Sequence, residues 1–265
     1  MRKLLIPIVL LFITFFTNCQ QMKEKPLAPI DLKDALITID DCGVLYKGKR
    51  LPFGKSLPEW EKALGQKSSR PELGMFDELG VAWQGNSTEP QSDFYIFFTN
   101  LDTPEGKAGK LRSARDWKPW SEREKDLRTK SKDPAITTVV SEEEISQIKE
   151  DENPRNFFYP FKIYQGVVNV QGAPIKGDMD LQVINAYREQ TKKVDIFTFW
   201  DRNVNSRDET LTTEGDNGEY FQITDKECDG KLYRIVLLFT NYKLEYMRVS
   251  NLSKSDMEMY EELTK

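Results

Sequence analysis

Few side chains in this sequence are suited to acid–base or metal chemistry. The chain has 265 residues, with three cysteines and no histidine. Histidine is the usual general base at neutral pH, and a cysteine nucleophile needs a basic partner. Isolated cysteines without histidine also lack the usual ligand set of a zinc site. We therefore predict a protein that is not an enzyme and needs no metal or cofactor, with a hydrolase that uses carboxylates alone as an alternative.

Cys19 is the residue whose neighbours most directly predict a modification. Two basic residues precede the apolar run from Leu4 to Phe16, which has the layout of an export signal. This run is shorter than the roughly 20 apolar residues that span a bilayer. The tetrapeptide Phe16-Thr17-Asn18-Cys19 resembles a lipobox, so we predict cleavage before Cys19 and acylation of its sulfur and its new amine. An ordinary signal peptide with an incidental cysteine is the alternative.

Lipid on Cys19 would place the protein in the cell envelope, facing the periplasm or the cell exterior. Gln20 after the cysteine favours the outer membrane under the enterobacterial sorting rule. The membrane is thus one predicted partner, through the lipid anchor. The formal net charge of −5 and the lack of a dominant basic cluster argue against nucleic acid as another.

The two remaining cysteines, Cys42 and Cys228, form an even number, as expected on the oxidising side of a membrane. Each lies in an acidic, turn-like context. The sequence alone does not place them within bonding distance, so a disulfide between them stays open at this point.

Two stretches of the chain show the same order of features. Residues 43–57 and 166–179 each predict a short strand, a glycine turn, a second short strand and the start of a helix. Each is followed by a strand that ends in tryptophan and then by an apolar strand that closes on Phe-Thr-Asn. This order predicts a duplicated module. The alternative is two unrelated pieces whose hairpins both need glycine and whose strands both favour aromatic residues.

The fold class expected from these patterns is α+β, with two related modules of mainly antiparallel sheet and short packed helices after a signal peptide and a flexible stalk. Ser56 and Glu59 form a capping box that predicts the first helix, and the apolar closing strands predict a sheet covered on both faces. The predicted boundaries are signal peptide 1–18, stalk 19–35, first module 36–100, charged connector 101–158, second module 159–252 and C-terminal helix 253–265.

Two further motifs bear on ligands. Gly54-Lys55-Ser56 lacks the glycine spacing of a phosphate loop, so we predict no nucleotide. Trp117 and Trp120 lie in the charged connector, where they could stack on a glycan or contact a protein. The alternative is that both fold back onto the core, since tryptophan is usually largely buried.

The predicted tether at Cys19, the paired strand motif, the Ser56–Trp60 helix start and the segment Pro160–Asn185 together resemble a domain-of-unknown-function family of bacterial lipoproteins. The resemblance covers most of the mature chain. Its motifs are structural and imply no activity. We therefore expect a membrane-tethered protein of unknown specific function that binds a protein partner in the envelope. A glycan-binding lipoprotein is the alternative.

Overall fold

A computed structural model of the chain describes residues 27–85, 91–99, 124–125, 128, 141–151, 158–191, 195–199, 217–240, 243–253 and 255–256. The described residues form an α+β fold with two mainly antiparallel sheets and short helices, as predicted. Within these ranges, no helix is long and apolar enough to cross a bilayer. The predicted signal peptide and most of the stalk lie outside them.

The first sheet has five strands. They are β1 (Ile37–Asp40), β2 (Gly43–Tyr46), β3 (Lys49–Arg50), β7 (Val168–Val170) and β8 (Ala173–Ile175). Their order in space is β3-β2-β1-β7-β8. Strands β1 and β7 are parallel, whereas the other neighbours are antiparallel.

The second sheet has seven strands. They are β4 (Met75–Phe76), β5 (Val81–Gly85), β6 (Ser92–Phe97), β9 (Thr198–Phe199), β10 (Asn217–Ile223), β11 (Leu232–Thr240) and β12 (Lys243–Leu252). Their order is β4-β5-β6-β12-β11-β10-β9. The four strands from β9 to β12 form an antiparallel meander.

The helices begin where the sequence predicts caps. Helix α1 (Leu57–Leu64) follows Ser56, whose backbone N–H donates to the Glu59 carboxylate over 3.1 Å, and it ends at Gly65 in the left-handed conformation. Helix α2 (Glu142–Asp151) is capped by Ser141 and helix α3 (Leu181–Thr191) by Asp180. A short 3₁₀ helix (Pro71–Leu73) precedes β4.

Tight turns join the strand pairs that the sequence marked with glycine. Both central residues have a positive φ in each of three turns, as a type I′ turn requires. The pairs are Lys47 and Gly48, Gln171 and Gly172, and Asp229 and Gly230.

Both sheets and two of the helices contribute to one main core. Ile39 and Val170 come from the first sheet, Ile96 and Val249 from the second, and Trp60 from α1. A second, smaller apolar cluster lies on the other face of the second sheet and contains Met75, Ala82, Tyr95, Phe97 and Tyr159. Strand β6 therefore buries side chains on both faces, which confirms the prediction for this closing strand.

The two predicted modules contribute strands to both sheets, because β1 pairs with β7 and β6 pairs with β12. Several predicted strand limits were wrong by a few residues. The sequence pattern predicts a strand from Leu79 to Trp83 and another from Ile235 to Asn241, whereas the observed strands begin at Val81 and Leu232. The strand expected at residues 135–140 lies outside the described residues.

Candidate functional site

The structure brings two of the predicted site residues together. Cys42 lies between β1 and β2, and Cys228 lies in the turn before β11. They form a disulfide with Cα atoms 5.2 Å apart, although 186 residues separate them in the sequence. Cys19, Trp117 and Trp120 lie outside the described residues, so the lipid tether and the tryptophan surface stay predictions.

The disulfide links the β1–β2 turn of the first sheet to the turn before β11 of the second sheet. The backbone N–H of Cys42 donates to the Asp40 carboxylate over 2.8 Å, which shapes the turn. Gly43 has a φ of 106°, and a Cβ there would lie 2.8 Å from the ring of Tyr233 on β11. Only glycine fits this contact, so the β1–β2 turn approaches β11 closely enough for the bond to form.

A buried ion pair lies beside the second apolar cluster. Arg70 and Asp77 are each 6% exposed. The Nε of Arg70 donates to Asp77 Oδ2 over 3.0 Å, and its Nη2 donates to Asp77 Oδ1 over 2.7 Å. The hydroxyl of Ser69 donates to the same carboxylate over 2.7 Å. Such a two-point contact fixes both side chains, since the planar guanidinium matches the carboxylate.

This ion pair holds the segment 158–164 against the second sheet. Arg70 Nη2 donates to the carbonyl of Tyr159 over 2.6 Å, while the Tyr159 hydroxyl donates to the buried carboxylate of Glu245 over 2.8 Å. Burial and the neighbouring Glu245 carboxylate raise the pKa of Tyr159, so its hydroxyl stays a donor at neutral pH. Farther along, the backbone N–H of Tyr164 donates to the carbonyl of Phe97 over 2.8 Å.

The segment displays Phe161 and Lys162 at the protein surface. Phe161 is 44% exposed, and its backbone N–H donates to Asp77 Oδ1 over 2.8 Å. Its ring lies against the Arg70 guanidinium, with 4.8 Å from the guanidinium carbon to the ring centroid. Lys162 forms a surface ion pair with Glu78 over 2.5 Å. The result is an exposed aromatic ring on a backbone fixed by buried charges. We call Phe161 with its supports Arg70 and Asp77 the Phe161 platform.

A second unusual group is Arg188 on α3, which is completely buried. Its Nε donates to the carbonyl of Asp195 over 2.5 Å and its Nη2 to the side-chain carbonyl of Gln171 over 3.0 Å. Nη2 also donates to the side chain of Gln222. The guanidinium carbon lies 4.6 Å from the centroid of the Phe197 ring.

The Phe161 platform is suited to contact. An aromatic ring with a fixed backbone can enter a pocket on a partner at small entropic cost. Its charged supports, Arg70 and Asp77, are buried and contact each other at two points. Among the described residues, no group of three or more Cys, Asp or Glu side chains could hold a metal ion.

Sequence reasoning missed the residues of the platform and Arg188. Arg70 and Asp77 are seven residues apart, but Phe161 lies 84 residues beyond Asp77, and a single arginine or phenylalanine in a charged sequence carries no local signal. The only hint was the Pro-Phe-Lys tripeptide at 160–162, which opened the segment that supported the family resemblance.

Fold and site together define a disulfide-bonded α+β protein that presents a fixed aromatic residue at its surface. The chain belongs to the family described as Domain of unknown function (DUF7738), whose model matches residues 36–185. The matched part begins just before β1, ends within α3 and contains the whole Phe161 platform. No curated protein and no solved structure matches the chain.

Proposed function

We propose that this protein is a lipid-tethered envelope protein that binds a protein partner through Phe161. The observation that carries the binding role is the Phe161 platform. Large apolar side chains that are exposed and rigid are typical anchors of protein interfaces, because little freedom is lost when they are buried. The proposal has no catalytic component.

The tether rests on the predicted lipobox at Cys19 and is supported by the disulfide between Cys42 and Cys228. Disulfides persist on the oxidising side of a membrane and are rare in the cytosol. Mass spectrometry of the N-terminal peptide from the native host tests this half of the proposal. We expect an acylated Cys19 at the new N-terminus, and an unmodified Cys19 would remove the tether from the proposal.

The binding half can be tested with a photo-reactive phenylalanine analogue at position 161 of the full lipidated chain. We expect one discrete cross-linked protein, which is then identified and purified. Ile196 is a matched control position, because it is also a large apolar residue and is 40% exposed. The same analogue at position 196 should not give that adduct.

Affinity for the purified partner then decides the role of the ring. We expect Phe161→Ser to weaken binding at least about tenfold, the loss typical of an interface anchor. Ile196→Ser should leave the affinity unchanged. Equal effects of the two substitutions, or identical adducts at the two positions, would contradict the proposed contact.

A glycan ligand bound by Trp117 and Trp120, and a hydrolase built on carboxylates, remain predictions from the sequence. Both tryptophans lie outside the described residues.

A further inference from the structure

Arg188 is a buried cation that is hydrogen-bonded only to neutral oxygens among the described residues. Its acceptors are the backbone carbonyl of Asp195 and the side-chain carbonyls of Gln171 and Gln222. Its Nη1 is shielded from solvent and has no hydrogen-bond partner in the described part of the chain. A buried guanidinium normally has both its charge and its donors matched, since leaving either unmatched disfavours the folded state.

Arg70 in the same chain is a buried arginine whose charge is balanced by a carboxylate. It is buried to a similar degree, and its guanidinium contacts the carboxylate of Asp77 at two points. The charge of Asp195 favours protonated Arg188, whereas the hydrogen bond that Asp195 accepts from Arg188 goes to its backbone carbonyl. Burial outweighs this attraction and lowers the pKa of Arg188 to about 10. Arg188 is therefore still cationic at neutral pH, and its Nη1 donors are not used by any described residue.

The neighbours of Arg188 fix the position of its charge. Gln222 Nε2 donates to Gln171 Oε1 over 3.1 Å, and Gln171 Nε2 donates to the Asp41 carboxylate over 2.7 Å. Both carboxamides thus turn their oxygens toward the guanidinium and their nitrogens away. The ring of Phe197 lies against the guanidinium. The hydrogen bonds to three carbonyl oxygens use Nε and Nη2 and leave the donors of Nη1 without an acceptor among the described residues, so the guanidinium can bind one further, anionic acceptor.

We infer that Arg188 is the centre of an anion site, at which Nη1 donates a charge-assisted hydrogen bond to a small oxyanion. The surroundings enclose the guanidinium completely, so the ligand is a compact one such as a short carboxylate or inorganic phosphate. These two sources share the chemistry of a small, negatively charged oxygen acceptor. The site is separate from the Phe161 platform, and the inference does not depend on the proposed function.

Binding at this site would couple to the stability of the fold. Gln171 lies in the β7–β8 turn, Gln222 on β10 and Asp41 beside Cys42 in the β1–β2 turn. An anion that balances the charge of Arg188 would stabilise the network that joins these elements. A ligand that binds the folded state alone raises the unfolding temperature, by an amount that grows with the logarithm of the ligand concentration above its Kd.

The test is thermal unfolding of the full chain, with sodium acetate and sodium phosphate as separate probes and with ionic strength held constant by sodium chloride. We expect one of them to raise the Tm by about 5 °C at a concentration of about 100 times its Kd. Calorimetric titration should give one site per chain. A response to acetate alone identifies a carboxylate ligand, and a response to phosphate alone identifies a phosphate ligand.

Two variants and one control connect the response to Arg188. Arg188→Gln removes the charge and should abolish the response, whereas Arg188→Lys keeps the charge without the planar fork and should weaken the affinity at least tenfold. Arg50→Gln removes an arginine from an exposed pair with Asp40 and should respond like the wild type. If Arg188→Gln does not fold, the wild-type and Arg188→Lys titrations still decide. No rise in the Tm together with no saturable calorimetric binding in the wild type, or an equal response in an Arg188 variant, would overturn the inference.

Discussion

The backbone N–H of the exposed residue Phe161 donates a hydrogen bond to the buried carboxylate of Asp77, over 2.8 Å. Asp77 is at the same time the charge partner of Arg70. The orientation of a surface ring therefore depends on an ion pair in the interior. Substitutions of the buried residues Arg70 or Asp77 should therefore alter how the exposed ring of Phe161 is held.

Replacing Asp77 with asparagine should destabilise the protein strongly. The asparagine side chain would keep the size of the aspartate but remove the buried carboxylate that contacts Arg70 at two points. We expect the free energy of unfolding to fall by about 3–5 kcal/mol, as is typical when one partner of a buried pair is lost. Urea unfolding followed by tryptophan fluorescence measures this change.

Glu78→Gln is the matched control, because Glu78 is the next residue and pairs with Lys162 at the surface. Exposed pairs contribute less than about 1 kcal/mol. Similar losses in both variants would show that burial of the Arg70–Asp77 pair does not set its contribution.

Gly80→Ala should displace the segment that carries Phe161. Gly80 has a φ of 67°, and a Cβ there would lie 2.3 Å from the backbone nitrogen of Tyr164. The added methyl group cannot fit without moving this backbone. We expect faster hydrogen exchange of the Tyr164 amide, which donates to Phe97, and a loss of stability of at least about 2 kcal/mol.

Gly48→Ala separates this steric effect from the cost of a positive φ. Gly48 has a φ of 76°, and a Cβ there would have no atom within 4 Å. This variant should lose only the roughly 1–2 kcal/mol of an unfavourable left-handed alanine, with the Tyr164 amide unaffected. An unchanged Tyr164 amide in Gly80→Ala would show that the segment accommodates the methyl group.

Local signals predicted much of the fold. The Ser56–Glu59 capping box and Gly65 placed helix α1, and the Lys47-Gly48 and Gln171-Gly172 turns placed two hairpins. These features depend on backbone conformation and hydrogen bonds within a few residues, so a sequence displays them directly.

Long-range features could not be predicted in the same way. The parallel pairing of Ile37 with Val168 joins residues that are distant in the chain, and no local pattern specifies a partner strand. Strand β12, between β6 and β11, was also missed, although its burial shows it to be central. The Phe161 platform needs two distant segments to meet, residues 70–77 and Phe161, and the proposed role of Arg188 depends on Nη1 having no acceptor among the described residues. Neither property exists before the chain folds.

Buried tyrosines should make the protein sensitive to alkaline pH. Burial raises the pKa of Tyr164 to about 12, above the roughly 10 expected for an unfolded chain. The folded state thus favours the protonated phenol. This contribution to stability is complete below about pH 10 and is lost as the pH rises through 12. We expect a loss on the order of 2 kcal/mol between these values from Tyr164 alone, measured by urea unfolding at each pH.

Tyr164→Phe tests this assignment, since phenylalanine cannot ionise. The variant should show a shallower decline of stability between pH 10 and 12 than the wild type. Tyr187→Phe is a suitable comparison, because the Tyr187 hydroxyl donates to the Ala28 carbonyl at an exposed position. If the two variants decline with identical slopes, ionisation of Tyr164 does not limit alkaline stability.

Removing the disulfide should weaken the connection between the two sheets. The Cys42–Cys228 bond closes a loop of 186 residues, and long loops gain most from a cross-link because the unfolded chain loses more freedom. We expect the double substitution Cys42→Ser and Cys228→Ser to lower the free energy of unfolding by about 2–5 kcal/mol. Dithiothreitol should lower the stability of the wild type to the same level and leave the double variant unchanged. A wild type whose unfolding midpoint does not respond to dithiothreitol, although thiol labelling shows both cysteines reduced, would mean that the sheets are held together by packing of Ile39, Val249 and their neighbours alone.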